Sequence, residues 1–231
     1  MDDRRYKLLM RLAVLLTLAW FGWVLYDADL GAVTPGARHL SAGLRFLEDE
    51  RYHDALAAFN DALSIDAENL GALRGIAQAL MQLGARQQFE ADRLARDGLA
   101  EAAQRSAAEA QRNYRRALDA YDQSILRQEA AGVSEQSRRI LGVAYANRAI
   151  LKDRMADHSG ALTDYRAAMA LEPAVQEGPG LLTRFLRNQP QRPPTVADRV
   201  RYLEQQLAKP ESEQLLLQPQ QDHEQRPYRM D

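Results

Sequence analysis

Three stretches of this chain carry one and the same stripe. Tyr52, Ala55, Leu56, Phe59, Ala62 and Leu63 align with Tyr114, Ala117, Leu118, Tyr121, Ser124 and Ile125, and again with His158, Ala161, Leu162, Tyr165, Ala168 and Met169. Spacings of three and four put each set on one face of a helix, and the small residues in the second and fifth slots let a neighbouring helix come close. A chain that repeats one helical face must bury it repeatedly, against a partner helix each time. Candidate partners lie upstream: Leu40, Gly43, Phe46 and Leu47; then Leu73, Ile76, Ala77, Leu80 and Leu83; then Tyr145, Ala149, Leu151 and Met155. The segment from Gly36 to Pro173 is rich in Ala, Leu, Arg, Glu and Gln and lacks alternating β-branched runs. Helix is therefore expected throughout, and the fold class is all-α.

Helix pairs repeated in this way resemble the tetratricopeptide repeat (TPR) family, whose unit is a 34-residue helix-turn-helix. The third unit carries the resemblance best, with Tyr145-Ala146-Asn147-Arg148-Ala149, then Ala161-Leu162-Thr163-Asp164-Tyr165, closing on Leu171-Glu172-Pro173. Ala67 stands where the family usually closes a unit with proline, and Lys152 where it tends to place an aromatic. The resemblance implies a solenoid over residues 37–173, with units at about 37–68, 69–130 and 140–173.

Spacing breaks the period twice. From Tyr52 to Tyr114 is 62 positions, one 34-residue period plus 28, and from Tyr114 to His158 is 44, one period plus 10. The larger excess falls at about residues 85–112, centred near Asp97-Gly98. Equal lengthening of both helices of the second unit predicts a protruding hairpin with Gly98 at its tip. Ala91, Leu94 and Ala95 would then face Leu99, Ala103, Ala107 and Ala110. The alternative ends the first helix at Gly84 and adds a separate helix. The smaller excess predicts a longer turn at Ala131-Gly132-Val133, with Ser134 capping the next helix.

The N-terminus sets location. Residues 1–7 are polar, and residues 8–26 form an apolar stretch interrupted only by Arg11, close to the roughly 20 residues that cross a bilayer as one helix. Arg4, Arg5, Lys7 and Arg11 precede or open it, while Asp27 and Asp29 follow, so the positive-inside rule predicts a cytoplasmic N-terminus. Trp20, Trp23 and Tyr26 gather at the far end, where aromatic rings favour the headgroup layer. A cleaved secretory signal is the rival reading, but Tyr26-Asp27-Ala28 puts tyrosine where a small residue belongs. Arginine far outnumbers lysine, which with the alanine content suggests a GC-rich bacterial genome. The expected location is the bacterial inner membrane, with a linker at 27–36 and the body in the periplasm.

After Pro173 the expectation is a pair of capping helices over residues 174–209. The first contains Leu181, Leu182, Phe185 and Leu186; the second is capped by Thr195 with Asp198 and carries Val196, Val200, Leu203 and Leu207. Residues 210–231, rich in Gln, Glu and Pro, are expected to be disordered or docked only on a partner.

Chemistry is sparsely provided. Cysteine is absent, the formal charge is −2, and His39, His53, His158 and His223 share no ligand spacing. No catalytic residue, metal site, cofactor or nucleic-acid partner is expected. The TPR resemblance implies a binding surface instead, lined by the first helix of each unit: Leu40, Ser41, Leu44 and Glu48; Arg74, Gln78 and Gln82; Asn147, Ile150 and Arg154. Of these, Arg74, Gln78, Asn147 and Arg154 are the groups able to grip an extended peptide through its backbone or a carboxylate. The family's carboxylate-clamping pattern is incomplete, since only Asn147 fits and Gly75 and Ser41 occupy the equivalent slots. The expected function is a membrane-anchored scaffold or assembly factor binding envelope proteins. The alternative is a structural subunit or homo-oligomer assembled through the hairpin and the C-terminal segment.

Overall fold

The computed structural model describes residues 3–30, 36–176, 195–217 and 227–228 of the chain. Its helices are α1 (Asp3–Leu30), α2 (Ala37–Glu48), α3 (Tyr52–Ile65), α4 (Leu70–Arg96), α5 (Ala100–Ala130), α6 (Glu135–Arg154), α7 (His158–Leu171) and α8 (Val196–Leu207), with short 3-10 turns at Pro173–Gln176 and Glu211–Glu213. The described residues are all-α. The helices α2/α3, α4/α5 and α6/α7 pair within the chain, α3 meets α4, α5 meets α6, and α4 also touches both α2 and α6.

The three stripes bury in register. Ala55, Phe59 and Ala62, then Ala117, Tyr121 and Ser124, then Ala161, Tyr165 and Ala168 are each fully buried. Small residues make room for the large one between them. Phe59 illustrates this: a Cβ on Gly43 of α2 or on Gly75 of α4 would come within 2.4 Å of its ring, so both glycines are needed for the helices to close on it.

The pairs also share one turn. Arg51 N–H donates to Phe46 C=O (2.8 Å), Leu99 to Leu94 (2.9 Å) and Asp157 to Lys152 (2.9 Å). The preceding residues, Glu50, Gly98 and Ala156, donate to Leu47, Ala95 and Asp153 and have φ of 57°, 77° and 64°. Each is a Schellman motif with a left-handed residue after the helix. The second pair differs only in having its turn far out along the helices. α4 runs through Gly84 without ending, because the Gly84 Cα lies against the Tyr114 ring of α5 and the two helices stay packed there.

The seam of this hairpin departs from expectation in part. Ala91, Ala103 and Ala110 are buried in it, but Ala95 and Leu99 face outward. Polar groups close it further down: Gln87 C=O accepts from Ser106 Oγ (2.7 Å), and Gln87 Oε1 accepts from Asn113 Nδ2 (2.8 Å).

Local capping explains where the remaining helices start. Asn69 Oδ1 accepts from Ala72 N–H, Asp157 Oδ1 from Gly160 N–H, and Ser134 forms a reciprocal box with Ser137. Thr195 and Asp198 form the same box at the head of α8. α8 packs on α7 and sends Val196, Val200 and Leu203 into the main core, closing that end of the stack. Arg199 fixes it there with bonds of 2.6 and 2.8 Å to Asp153 of α6, a buried carboxylate that also meets His158 Nδ1 at 2.7 Å.

Three expectations need correction or limits. Of residues 210–231, expected to be disordered or docked only on a partner, the described ones meet the body: Leu216 C=O accepts from Arg199, Tyr202 hydroxyl donates to Leu215 C=O, and Tyr228 C=O accepts from Asn147. These segments carry apolar side chains that the stack leaves room for: Leu216 and Tyr228 both pack on its core. The short helix expected at Leu181 to Leu186 lies outside the described residues. A membrane-crossing helix was expected over 8–26; among the described residues no helix is long and apolar enough to cross a membrane.

Candidate peptide-binding groove

Neighbouring α4 and α6 place Arg74 and Gln78 on one side and Asn147 and Arg154 on the other. Behind them stands α5, whose Tyr121 reaches forward between the two. Its hydroxyl is buried, lies beside the Asn147 amide without a well-formed hydrogen bond, and feels the positive charges of Arg154 and Arg74. Burial drives the Tyr121 pKa up, and the two guanidinium groups only partly oppose it. Tyr114 responds alike, raised by burial and pulled back by Arg154. These relations bring Arg74, Asn147 and Arg154 around one point.

Arg74 is the unusual member. It is 8% exposed, and among the described residues its Nε has no hydrogen-bond partner. Burial lowers its pKa, the expected response of a cation removed from water, and the neighbouring Tyr121 works weakly the other way. Two other arginines with little exposure, Arg148 and Arg199, are matched with acids. Arg148 bonds Asp164 at 2.7 and 2.8 Å and Asp122 at 2.7 Å, and Arg199 bonds Asp153. Burial opposes the charge on Arg148, but those carboxylates outweigh it and its pKa moves up. Arg74 lacks this compensation.

Asn147 is fully buried, and both the oxygen and the nitrogen of its amide are bonded to Tyr228. Its Nδ2 donates to Tyr228 C=O at 3.0 Å, and its Oδ1 accepts from Tyr228 N–H at 2.7 Å. The side chain thus holds both polar groups of one residue in a separate segment, 81 positions away. The Tyr228 ring packs against Val143, Ala146, Ala168 and Val175, and its hydroxyl donates to Val175 C=O at 2.9 Å. Burial pushes the Tyr228 pKa up to about 12, with the Val196 backbone N–H pulling against it.

Of the four expected residues, the structure brings Arg74, Asn147 and Arg154 together around Tyr121. Gln78, one turn along α4 from Arg74, is half-buried. Ile150, expected to line the surface, is instead fully buried in the core shared with α5 and α8. Tyr228 was missed altogether. Its only signal was a lone aromatic after proline in an otherwise polar tail.

A second depression, open and about 390 Å³, lies between α5 and α6 and is lined by Asp122, Ile125, Leu126, Glu129, Tyr145 and Arg148. Its polar groups are engaged with one another: Tyr145 hydroxyl donates to Glu129 (2.5 Å), and Arg148 stacks over the Tyr145 ring. Among the described residues no group of three or more His, Asp or Glu could hold a metal ion.

Comparison with models of protein families, with curated proteins and with solved structures finds no match.

Proposed function

We propose that the chain is a non-catalytic binding protein of the TPR type, held at a bacterial inner membrane by α1, whose groove between α4 and α6 grips an extended segment of an envelope protein. The observation that carries this reading is the Asn147 amide, which holds the backbone N–H and C=O of one residue at once. A side chain used in this way recognises any extended polypeptide, whatever its sequence. Arg74 adds a buried positive charge suited to a carboxylate on that segment. Three helix pairs with the same buried stripe and the same Schellman turn support the assignment to helix-turn-helix repeats.

The anchor rests on α1. From Met10 to Val24 every described side chain is exposed, Leu15, Leu16, Leu18 and Trp23 each at more than 60%. A helix apolar all round with no face turned to its own protein calls for an apolar surrounding. A weak groove concentrated at a surface by such an anchor acts on membrane partners at raised local concentration.

The test is photo-crosslinking in intact cells from a probe at Gln78, compared with one at Gly98. Defined envelope polypeptides caught from Gln78 and lost on Arg74→Met support the reading; identical products from both positions, or none from Gln78, contradict it. A second reading, self-association through the hairpin, is favoured by the exposed Phe89 and Leu99 side chains near its tip.

A further inference from the structure

Tyr228 of the chain's own tail is bonded to Asn147 of this groove, with its ring in an adjoining slot made by α6, α7 and the Pro173–Gln176 turn, and how it is seated specifies more than a generic peptide. The two hydrogen bonds between Tyr228 and Asn147 use Tyr228 backbone atoms, so they would serve any segment. Another comes from its side chain: the Tyr228 hydroxyl donates to Val175 C=O at the far end of an apolar slot made by Val143, Ala146, Ala168 and Val175. Phenylalanine would fill the slot but leave the carbonyl without its donor, and an aliphatic residue would leave part of the slot empty. The residue before, Pro227, has no N–H that would need a partner.

We infer, building on the reading above, that the slot beside Asn147 is a tyrosine-selective end of the binding site for a Pro-Tyr segment, that the chain's own Pro227-Tyr228 is its resident occupant, and that a partner of the same chemistry must displace it. The occupant is tethered. Leu216, packed on the core, and Tyr228 are separated by only twelve positions, which keeps the tail at an effective concentration on the order of millimolar around the site. A free peptide at micromolar concentration therefore competes poorly with it, whereas a partner presenting its segment at the same membrane surface is on equal terms. The tail in this way sets a threshold that excludes dilute ligands.

The experiment uses the full-length protein in detergent micelles and a fluorescent peptide of residues 219–231, read by anisotropy. Binding to the Tyr228→Ala protein should be at least tenfold tighter than to the unaltered protein. A peptide with glycine in place of its tyrosine should not bind either, and one with phenylalanine should bind severalfold more weakly than the tyrosine form. Because these changes lie in the peptide, they hold even where a groove variant such as Asn147→Ala fails to fold. Equal affinity for the unaltered and Tyr228→Ala proteins, no binding to the Tyr228→Ala protein, or equal binding of the tyrosine and glycine peptides overturns the inference. Crosslinks from Gln78 that persist after such a result would leave the binding function standing and remove only its tyrosine selectivity.

Discussion

Two residues of the groove carry opposite energetic signs. Asn147 is buried with both its amide oxygen and its amide nitrogen bonded to Tyr228, whereas Arg74 is buried with its Nε unpaired among the described residues. An unpaired buried cation lowers stability and is kept only where something else is gained. Arg74→Met is therefore expected to stabilise the protein by on the order of 1 kcal/mol in denaturant unfolding, while weakening the capture of acidic segments. A loss of stability would show that Arg74 has a structural partner. Tyr228 gives a pH test. Its folded pKa of about 12 lies above the ordinary tyrosine value of 10.0, so its neutral form is favoured when docked. That contribution is complete below about pH 10 and is lost as pH rises from there through about 12. Tail release followed by a label at the C-terminus should track this window, and Tyr228→Phe should abolish the dependence because it has no proton to lose.

At the scale of elements, the three turns make a natural comparison. Gly98 takes its left-handed conformation at little steric penalty, while Glu50 and Ala156 hold the same conformation with a Cβ. Ala156→Gly should raise stability by up to about 1 kcal/mol and Gly98→Ala should lower it by about the same amount, since no other atom approaches within 4 Å of a Cβ at 98. Differential scanning calorimetry on the two variants checks the pair; shifts of the same sign would mean the turns are not equivalent. These turns also mark what could be read from the chain. Gly98 announced itself as the one turn-like position in a long helical stretch, and Ser134, Thr195 and Asp198 announced helix starts. Glu50 and Ala156 gave no such signal, because a Schellman turn in a well-packed pair tolerates residues that propensity would not choose. The polar latch at Gln87, Ser106 and Asn113 was equally hidden, since polar residues on a long helix read as a solvated face until a second helix is laid against them.

For the whole molecule, periodicity was enough to place the helix pairs, because burial repeats wherever Phe59, Tyr121 and Tyr165 recur. Long-range polar pairing was not legible. Nothing local ties Asn147 to Tyr228 or Asp153 to Arg199, which meet only after the stack is built and closed by α8. The hairpin decides between the binding and self-assembly readings. Phe89→Glu with Leu99→Glu should leave the mass of the detergent-solubilised protein unchanged in multi-angle light scattering. Dissociation of a larger species would favour assembly through the hairpin.

The most direct measurement of the groove's grip is amide hydrogen exchange at Tyr228 in the full-length protein. Its N–H donates to a fully buried carbonyl oxygen on Asn147, so exchange should be strongly slowed, and saturating Pro-Tyr peptide should release it. Exchange at the rate of a free peptide, in the unaltered protein with no competitor, would contradict the account.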